Sequence, residues 1–303
     1  MRPLLEFVPN FSEGRDRQKL DRIVAAMTAV RGAALLGQEL DASHHRAVVT
    51  LAGAPEAMAA AAFAGARAAV AEIDLRAHKG EHKRMGAMDV CPFVPLGSAD
   101  MALAVRTARA VGARIGAELG LPVFFYAAAC TREERRVLGN FRNKEFEGLL
   151  QLVGKDPLYA PDCGPARLHP SAGAVAVGAR NFLIAFNVNL ETQDVALAKA
   201  IAKQVREKDG GFPGIQAMGF YLDDKHCAQV SMNILDFRTT SVRTIYDAVA
   251  AKAQAAGVAV RESELVGLIP AAAIDATTAG QIRLAGFDAK AQVVEERLAA
   301  AGL

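Results

Sequence analysis

A chain of 303 residues, 52% hydrophobic and 22% charged, is long enough for one sizeable core or two smaller ones, and two domains are the expected arrangement. The formal net charge is only +2 and the cations are scattered, which argues against a nucleic-acid or membrane footprint and leaves room for a local anion site. Cys91, Cys130, Cys163 and Cys227 form no C-x-x-C pair and no secretory leader precedes Met1-Arg2-Pro3, so a reduced, cytoplasmic protein is expected.

In chain order, residues 4–9 predict a short strand. Asn10-Phe11-Ser12-Glu13-Gly14 follows, where Asn10 and Ser12 can accept hydrogen bonds from a helix over residues 16–30 whose Leu20, Ile23, Val24 and Met27 share a face. Gly32 stops that helix. Residues 33–40 and 46–51 predict a hairpin around Asp41-Ala42-Ser43-His44-His45, and Gly53 and Pro55 open a helix running to about Arg76. Its apolar window is mostly alanine, interrupted by Glu56, Gly65 and Arg67, which fits a buried amphipathic helix better than a membrane span. A strand over 90–94, a helix over 99–119 capped by Gly120, a strand over 122–126 and a helix over 131–138 come next. Between 148 and 178 the periodicity fails among Pro157, Pro161, Gly164, Pro165, Pro170 and Gly173, which predicts a long irregular segment.

Beyond it the order is strand (182–190), helix (192–208), strand (215–222), strand (229–235), helix (240–256) and strand (258–261), a β-α-β-β-α-β unit. Residues 4–94 give the same order. Two local echoes accompany it: Val8-Pro9-Asn10-Phe11 against Ala185-Phe186-Asn187-Val188, and Arg46-Ala47-Val48-Val49-Thr50 against Ala228-Gln229-Val230-Ser231. The expectation is an α+β chain of two ferredoxin-like (split β-α-β) α/β sandwich subdomains, 1–179 and 180–303, with a ligand groove between them.

The stretch least like scaffold is His78-Lys79-Gly80-Glu81-His82-Lys83-Arg84-Met85-Gly86, two imidazoles and a run of cations ahead of the apolar Val90 strand. His78 and His82 are four apart and could share a metal on a helix. The glutamate is misplaced for H-E-x-x-H, Gly80 weakens the helix, and Lys79, Lys83 and Arg84 would repel a dication. Proton transfer is the better use, with the cations holding an imidazole neutral and binding carboxylates of an acidic substrate. The bland alternative is a charged, solvated helix end. The segment 162–173 offers exposed backbone that can approach a flat ligand, or is a plain linker. His44, His45 and Arg46 read as turn residues, His169 and His226 as isolated histidines. No Walker loop, G-x-S-x-G or G-x-G-x-x-G is present.

With these residues in view, the chain resembles glutamate formiminotransferase, the formiminotransferase domain of the formiminotransferase-cyclodeaminase family. The resemblance rests on Val8-Pro9-Asn10-Phe11-Ser12-Glu13-Gly14, on the HKGEH-x-RMGA-x-DVCPF run over 78–93, and on Pro161-Asp162 with Gly164-Pro165. Gly178-Ala179-Arg180, Phe182-Leu183-Ile184-Ala185-Phe186-Asn187, Tyr221-Leu222-Asp223, Ala228-Gln229-Val230-Ser231 and Leu265-Val266-Gly267-Leu268 complete it. Nothing resembles a cyclodeaminase domain. The resemblance implies transfer of a formimino group from N-formimino-L-glutamate to N5 of tetrahydrofolate in histidine degradation, with tetrahydrofolate as co-substrate, no metal, and a homodimer. It places the catalytic base on His82 and folate binding on Gly164-Pro165-Ala166-Arg167-Leu168-His169-Pro170-Ser171-Ala172-Gly173. His78, Lys79, Arg84 and Arg180 are candidates for carboxylate binding or support, by charge. Formyl transfer or formyl-folate processing in the same pocket, and folate binding without turnover, are the alternatives. Lys83 stands where the family carries proline, Cys163 where it carries an aromatic residue and Arg243 where it carries histidine.

Overall fold

The computed structural model describes residues 2–42, 44–80 and 83–303, and these fold as two α+β units divided between Arg180 and Asn181. In the first unit, β1 (Pro3–Phe7) and β2 (Asn10–Phe11) are one strand broken at Val8-Pro9, where proline has no N–H for a ladder. Asp16 accepts from the N–H groups of Gln18 and Lys19 and starts α1 (Arg17–Thr28), whose Leu20, Ile23, Val24 and Met27 are buried as the helical period requires. β3 (Ala34–Asp41) and β4 (Arg46–Gly53) form an antiparallel hairpin, and α2 (Pro55–Glu72) follows. Then come β5 (Met88–Gly97), α3 (Met101–Leu119), β6 (Val123–Ala127), α4 (Gly139–Arg142), α5 (Glu145–Leu152) and β7 (Val175–Ala179).

Both β1 and β2 pair with β4 on one side and β5 on the other, so the sheet runs β3, β4, β1/β2, β5, β7, β6. Its β3-to-β5 part is antiparallel, while β5–β7 and β7–β6 are parallel. Phe7, Phe11, Leu51, Phe93 and Phe124 lie within a core that α1, α2 and α3 help to fill.

The second unit contains β8 (Ile184–Leu190), α6 (Val195–Val205), β9 (Ile215–Leu222), β10 (Cys227–Ile234), α7 (Val242–Ala255) and β11 (Val260–Val266). The strand order is β11-β8-β10-β9, with every pair antiparallel. Alternation along β8 sends Ile184, Phe186, Val188 and Leu190 into a core with Ile201, Val205, Ile245 and Val249. Short helices α8 (Ala276–Gln281), α9 (Ala289–Gln292) and α10 (Val294–Ala300) end the chain. Among the described residues, no helix is long and apolar enough to cross a membrane.

Several expectations need correction. The interval 148–178 is not wholly irregular: α5 enters it and β7 closes it, adding parallel strands to the first sheet. The helix expected over 131–138 is a 3-10 turn at Glu133–Arg135 followed by α4. α2 ends at Glu72 because the chain turns extended at Ile73 and the Leu75 N–H bonds to the Ser171 carbonyl at 2.8 Å. Asp16, not Asn10 or Ser12, caps α1.

Candidate active site

Asp89, fully buried at the start of β5, is the hub of the motif. Its Oδ1 accepts from the Met85 N–H at 2.7 Å, and its Oδ2 accepts from Arg46 Nη1 and Arg142 Nε, each at 2.8 Å. Burial pushes the Asp89 carboxyl upward, but Arg142, Arg46 and the Met85 N–H outweigh it and hold it well below the usual carboxylate range. Arg46 opens β4 and also donates to Asn10 Oδ1 at 2.8 Å, so the Asn10 side chain braces an arginine. Burial lowers Arg46 to about 10. Arg142, at the end of α4, also donates to the Lys83 carbonyl. One carboxylate thereby fixes the backbone on the C-terminal side of the motif.

The N-terminal side is fixed by two imidazoles and a glutamate. His78 donates from Nε2 to the His45 carbonyl at 3.0 Å, and its Nδ1 accepts from Arg84 Nε at 3.2 Å. The tautomer is set and neither ring nitrogen is left for a metal. Burial lowers the His78 pKa, opposed by the bond to the His45 carbonyl and reinforced electrostatically by the His45 ring and Arg84. The His45 ring stacks on His78 with centroids 4.0 Å apart. His45 Nδ1 donates to the Lys79 carbonyl at 2.8 Å, and Nε2 lies 3.1 Å from Glu13 Oε1. Burial raises the Glu13 carboxyl, but the N–H groups of Asp16 and Arg15, and His45, bring it below its usual value. His45 adopts φ of +51°, a left-handed conformation uncommon for a residue with a side chain, and this turns its ring onto the motif. It is therefore more than a turn residue.

Arg84 grips Glu147 with two nitrogens, at 2.7 and 2.6 Å, and Glu145 at 3.2 Å. Its guanidinium is engaged by the protein's own carboxylates and by His78. The Lys79 side chain is exposed. Arg180 is half-buried; its N–H donates to the Phe93 carbonyl at 3.1 Å and its side chain bonds Tyr126, whose hydroxyl burial pushes up to about 12. The recess lined by Ser12, Glu13, Lys19, His45, Asp74 and His78 has about 70 Å³. Pockets that enclose a whole drug-sized ligand run to roughly 300–1,000 Å³.

The segment 164–173 is pinned to this motif. Leu75 N–H bonds the Ser171 carbonyl, Ala87 N–H the Ala172 carbonyl at 2.9 Å, and Ala174 N–H the Met85 carbonyl at 2.9 Å. The approach is too close for side chains: a Cβ on Gly86 would lie 1.7 Å from the Ala174 oxygen, and one on Gly173, at φ of +70°, 2.2 Å from the Met85 oxygen. Ser12 donates from Oγ to the Gly86 carbonyl at 2.8 Å and closes the same joint. Within the segment, His169 and Gly173 exchange two backbone hydrogen bonds of 3.1 Å. His169 Nδ1 accepts from the N–H groups of Ala172 at 3.0 Å and Ser171 at 3.4 Å, which leaves the ring proton on Nε2. Burial lowers its pKa, and the two N–H groups it accepts from tie the ring into the turn rather than leaving it isolated. Gly164, Ala166, Arg167 and Pro170 are exposed, Pro165, His169 and Ser171 are half-buried, and Leu168, Ala172 and Gly173 are buried.

The structure thus brings together His78, Arg84 and the Ser171–Gly173 end of the second segment. The expected catalytic residue, His82, and its neighbour Glu81 lie outside the described residues, as do Met1 and Ser43. Sequence reasoning passed over the Asp89–Arg46–Arg142 network and Glu13. An acid at the mouth of the apolar 90–94 strand was the available signal for Asp89; Arg142, on a four-residue helix, offered none.

Comparisons with known proteins agree with this architecture. Residues 4–180 match the formiminotransferase domain, N-terminal subdomain, and residues 185–295 match the formiminotransferase domain. The chain belongs to the formiminotransferase family and is a transferase. It is 43% identical to the glutamate formimidoyltransferase of Thermoplasma acidophilum, with 97% of each protein aligned. It is 40% identical to that of Streptococcus pyogenes serotype M1, over 98% of this chain and 99% of that protein. The formimidoyltransferase-cyclodeaminase of Sus scrofa is 43% identical over 90% of this chain, which spans 51% of that longer protein.

Proposed function

We propose that this protein transfers the formimino group of N-formimino-L-glutamate to N5 of tetrahydrofolate, releasing L-glutamate, as a step of histidine degradation. The observation that carries the reading is the near full-length similarity to two proteins named glutamate formimidoyltransferase. The pinning of 164–173 onto the His78–Gly86 motif supports it, since the segments assigned to folate and to catalysis must act on one molecule. N5 attacks the formimino carbon, His82 takes the N5 proton as the tetrahedral adduct forms, and a proton returns to the glutamate nitrogen as its bond to carbon breaks. Tetrahydrofolate is a co-substrate held by 164–173. Lys79 and Arg180 are assigned to substrate carboxylates, while His78 and Arg84 support the motif. Each unit is read as a ferredoxin-like split β-α-β sandwich, a reading supported by the orders β3-β4-β1/β2-β5 and β11-β8-β10-β9. We extend the family's homodimer and a cytoplasmic location to this chain; light scattering after gel filtration tests the first.

The deciding assay incubates purified protein with tetrahydrofolate and either formiminoglutamate or formylglutamate and reads glutamate release. Failure with the first overturns the proposal, and release from the second alone selects formyl transfer. Folate binding without turnover selects a binding protein. His82→Ala is expected to lower turnover at least ~10²-fold with folate binding largely kept. Near-normal turnover would refute the base.

A further inference from the structure

The two faces of the second sheet are built differently. One carries Phe186, Val188, Val230 and Met232 into the core. Period-2 alternation puts polar side chains on the other, and the register aligns them across three strands. Gln229 lies opposite Asn189, which lies opposite Glu262; one step along, Ser231, Asn187 and Glu264 form a second row. Phe220 and Met218 on β9 extend the same rows.

Asn189 is 0% exposed and Gln229 2%. The orientation of the Gln229 amide is fixed, because Nε2 donates to Asn189 Oδ1 at 2.8 Å and toward Glu264 Oε2 at 3.4 Å. Asn189 Nδ2 donates in turn to Glu264 Oε1 at 2.7 Å and Glu262 Oε1 at 3.2 Å. Among the described residues, no donor reaches the buried Gln229 Oε1. A flip would set oxygen against oxygen at Asn189 and strand the nitrogen instead. A buried acceptor without a partner is destabilising, so this oxygen is the point in the network where a donor from outside would be gained. The surroundings set the partner's chemistry: among the described residues, Glu262 and Glu264 pair with one ammonium, that of Lys225. A carboxylate or phosphate is repelled, and a planar N–H donor is favoured.

We infer that Gln229, Asn189 and the Glu262/Glu264 pair form a subsite for an amidine-type N–H group. Two parts of the proposed reactants have that chemistry: the 2-amino, N3–H edge of the pterin ring and the formimino group. The inference rests on the formiminotransferase reading for the identity of these ligands. Its test reads binding rather than turnover, so the two can fail separately.

Calorimetric titrations of wild type and Gln229→Met, a substitution of similar volume without the acceptor, use three ligands: tetrahydrofolate, 6-methyltetrahydropterin and formiminoglutamate. One net hydrogen bond predicts about tenfold weaker binding of the ligand that fills the subsite. Weakening of both tetrahydrofolate and 6-methyltetrahydropterin assigns the pterin edge; weakening of formiminoglutamate alone assigns the formimino group. Unchanged affinity for all three ligands overturns the inference, with water then satisfying Gln229. If Gln229→Met unfolds, Glu264→Gln keeps the acceptor toward Asn189 and removes a charge. It is expected to weaken the same ligand at least threefold, and unchanged binding again overturns the inference.

Discussion

Replacing Asp89 by Asn keeps the size of the motif's hub and removes its charge. Two arginines lose their counter-ion: Arg46, with 9% of its side chain exposed, and Arg142, with 13%. The amide must also turn an NH2 either toward the guanidinia or toward the Met85 N–H, because Oδ2 serves the first and Oδ1 the second. Leaving a buried charge uncompensated costs about 3–5 kcal/mol. At about 2–4 °C per kcal/mol for a unit of this size, the first unit should melt on the order of 10 °C lower. The assay is urea and thermal unfolding followed by far-UV circular dichroism. The pH dependence supplies a sign. The folded carboxyl titrates below its ordinary value, so its stabilisation is complete above the unfolded pKa near 4 and is lost as pH falls through the folded value. The gap between wild type and Asp89→Asn should stay constant from pH 8 to about 4 and narrow below it. A gap under ~1 kcal/mol at pH 7 would mean that the guanidinia rehydrate or find other partners, and the hub argument would be wrong.

Two further outcomes follow from the tautomers. His169→Asn places an acceptor where Nδ1 sits and should keep the 169–173 turn, whereas His169→Gln cannot and should cost about 1–2 kcal/mol more in thermal unfolding; equal stabilities would remove His169 from the turn. His78 is held neutral with a lowered pKa, so its stabilisation is present above the ordinary value of 6.5 and declines as pH falls through the lower folded value. His78→Asn, which keeps an acceptor for Arg84 without titrating, should flatten the stability profile as pH falls below the ordinary histidine value; an unchanged slope would assign it to another group.

The elements legible in the sequence were those with one wet face and one dry one. Helix α1 and the β3–β4 hairpin carry regular apolar spacing and stand where that spacing puts them. Strand β7 escaped because Val175-Ala176-Val177-Gly178-Ala179 is buried throughout and shows no alternation, and because it follows a Pro/Gly-rich stretch. The helices of 276–300 are too short to display a period. In the site, residue type and clustering were visible in one dimension, and the motif stood out for that reason. His45 looked like hairpin punctuation because nothing local shows that its ring reaches His78 and the Lys79 carbonyl. Arg84 looked like a free cation because Glu147 lies far along the chain.

The three backbone hydrogen bonds that join Leu75 to Ser171, Ala87 to Ala172 and Ala174 to Met85 make two sequence-distant loops a single cooperative unit. Their mutual closure is settled when the chain folds, so that part of the ordering cost is not left to the ligand. Whatever tightens one loop stiffens the other, and a motion that frees Ser171 must also release the carbonyl side of Met85 through Ala174.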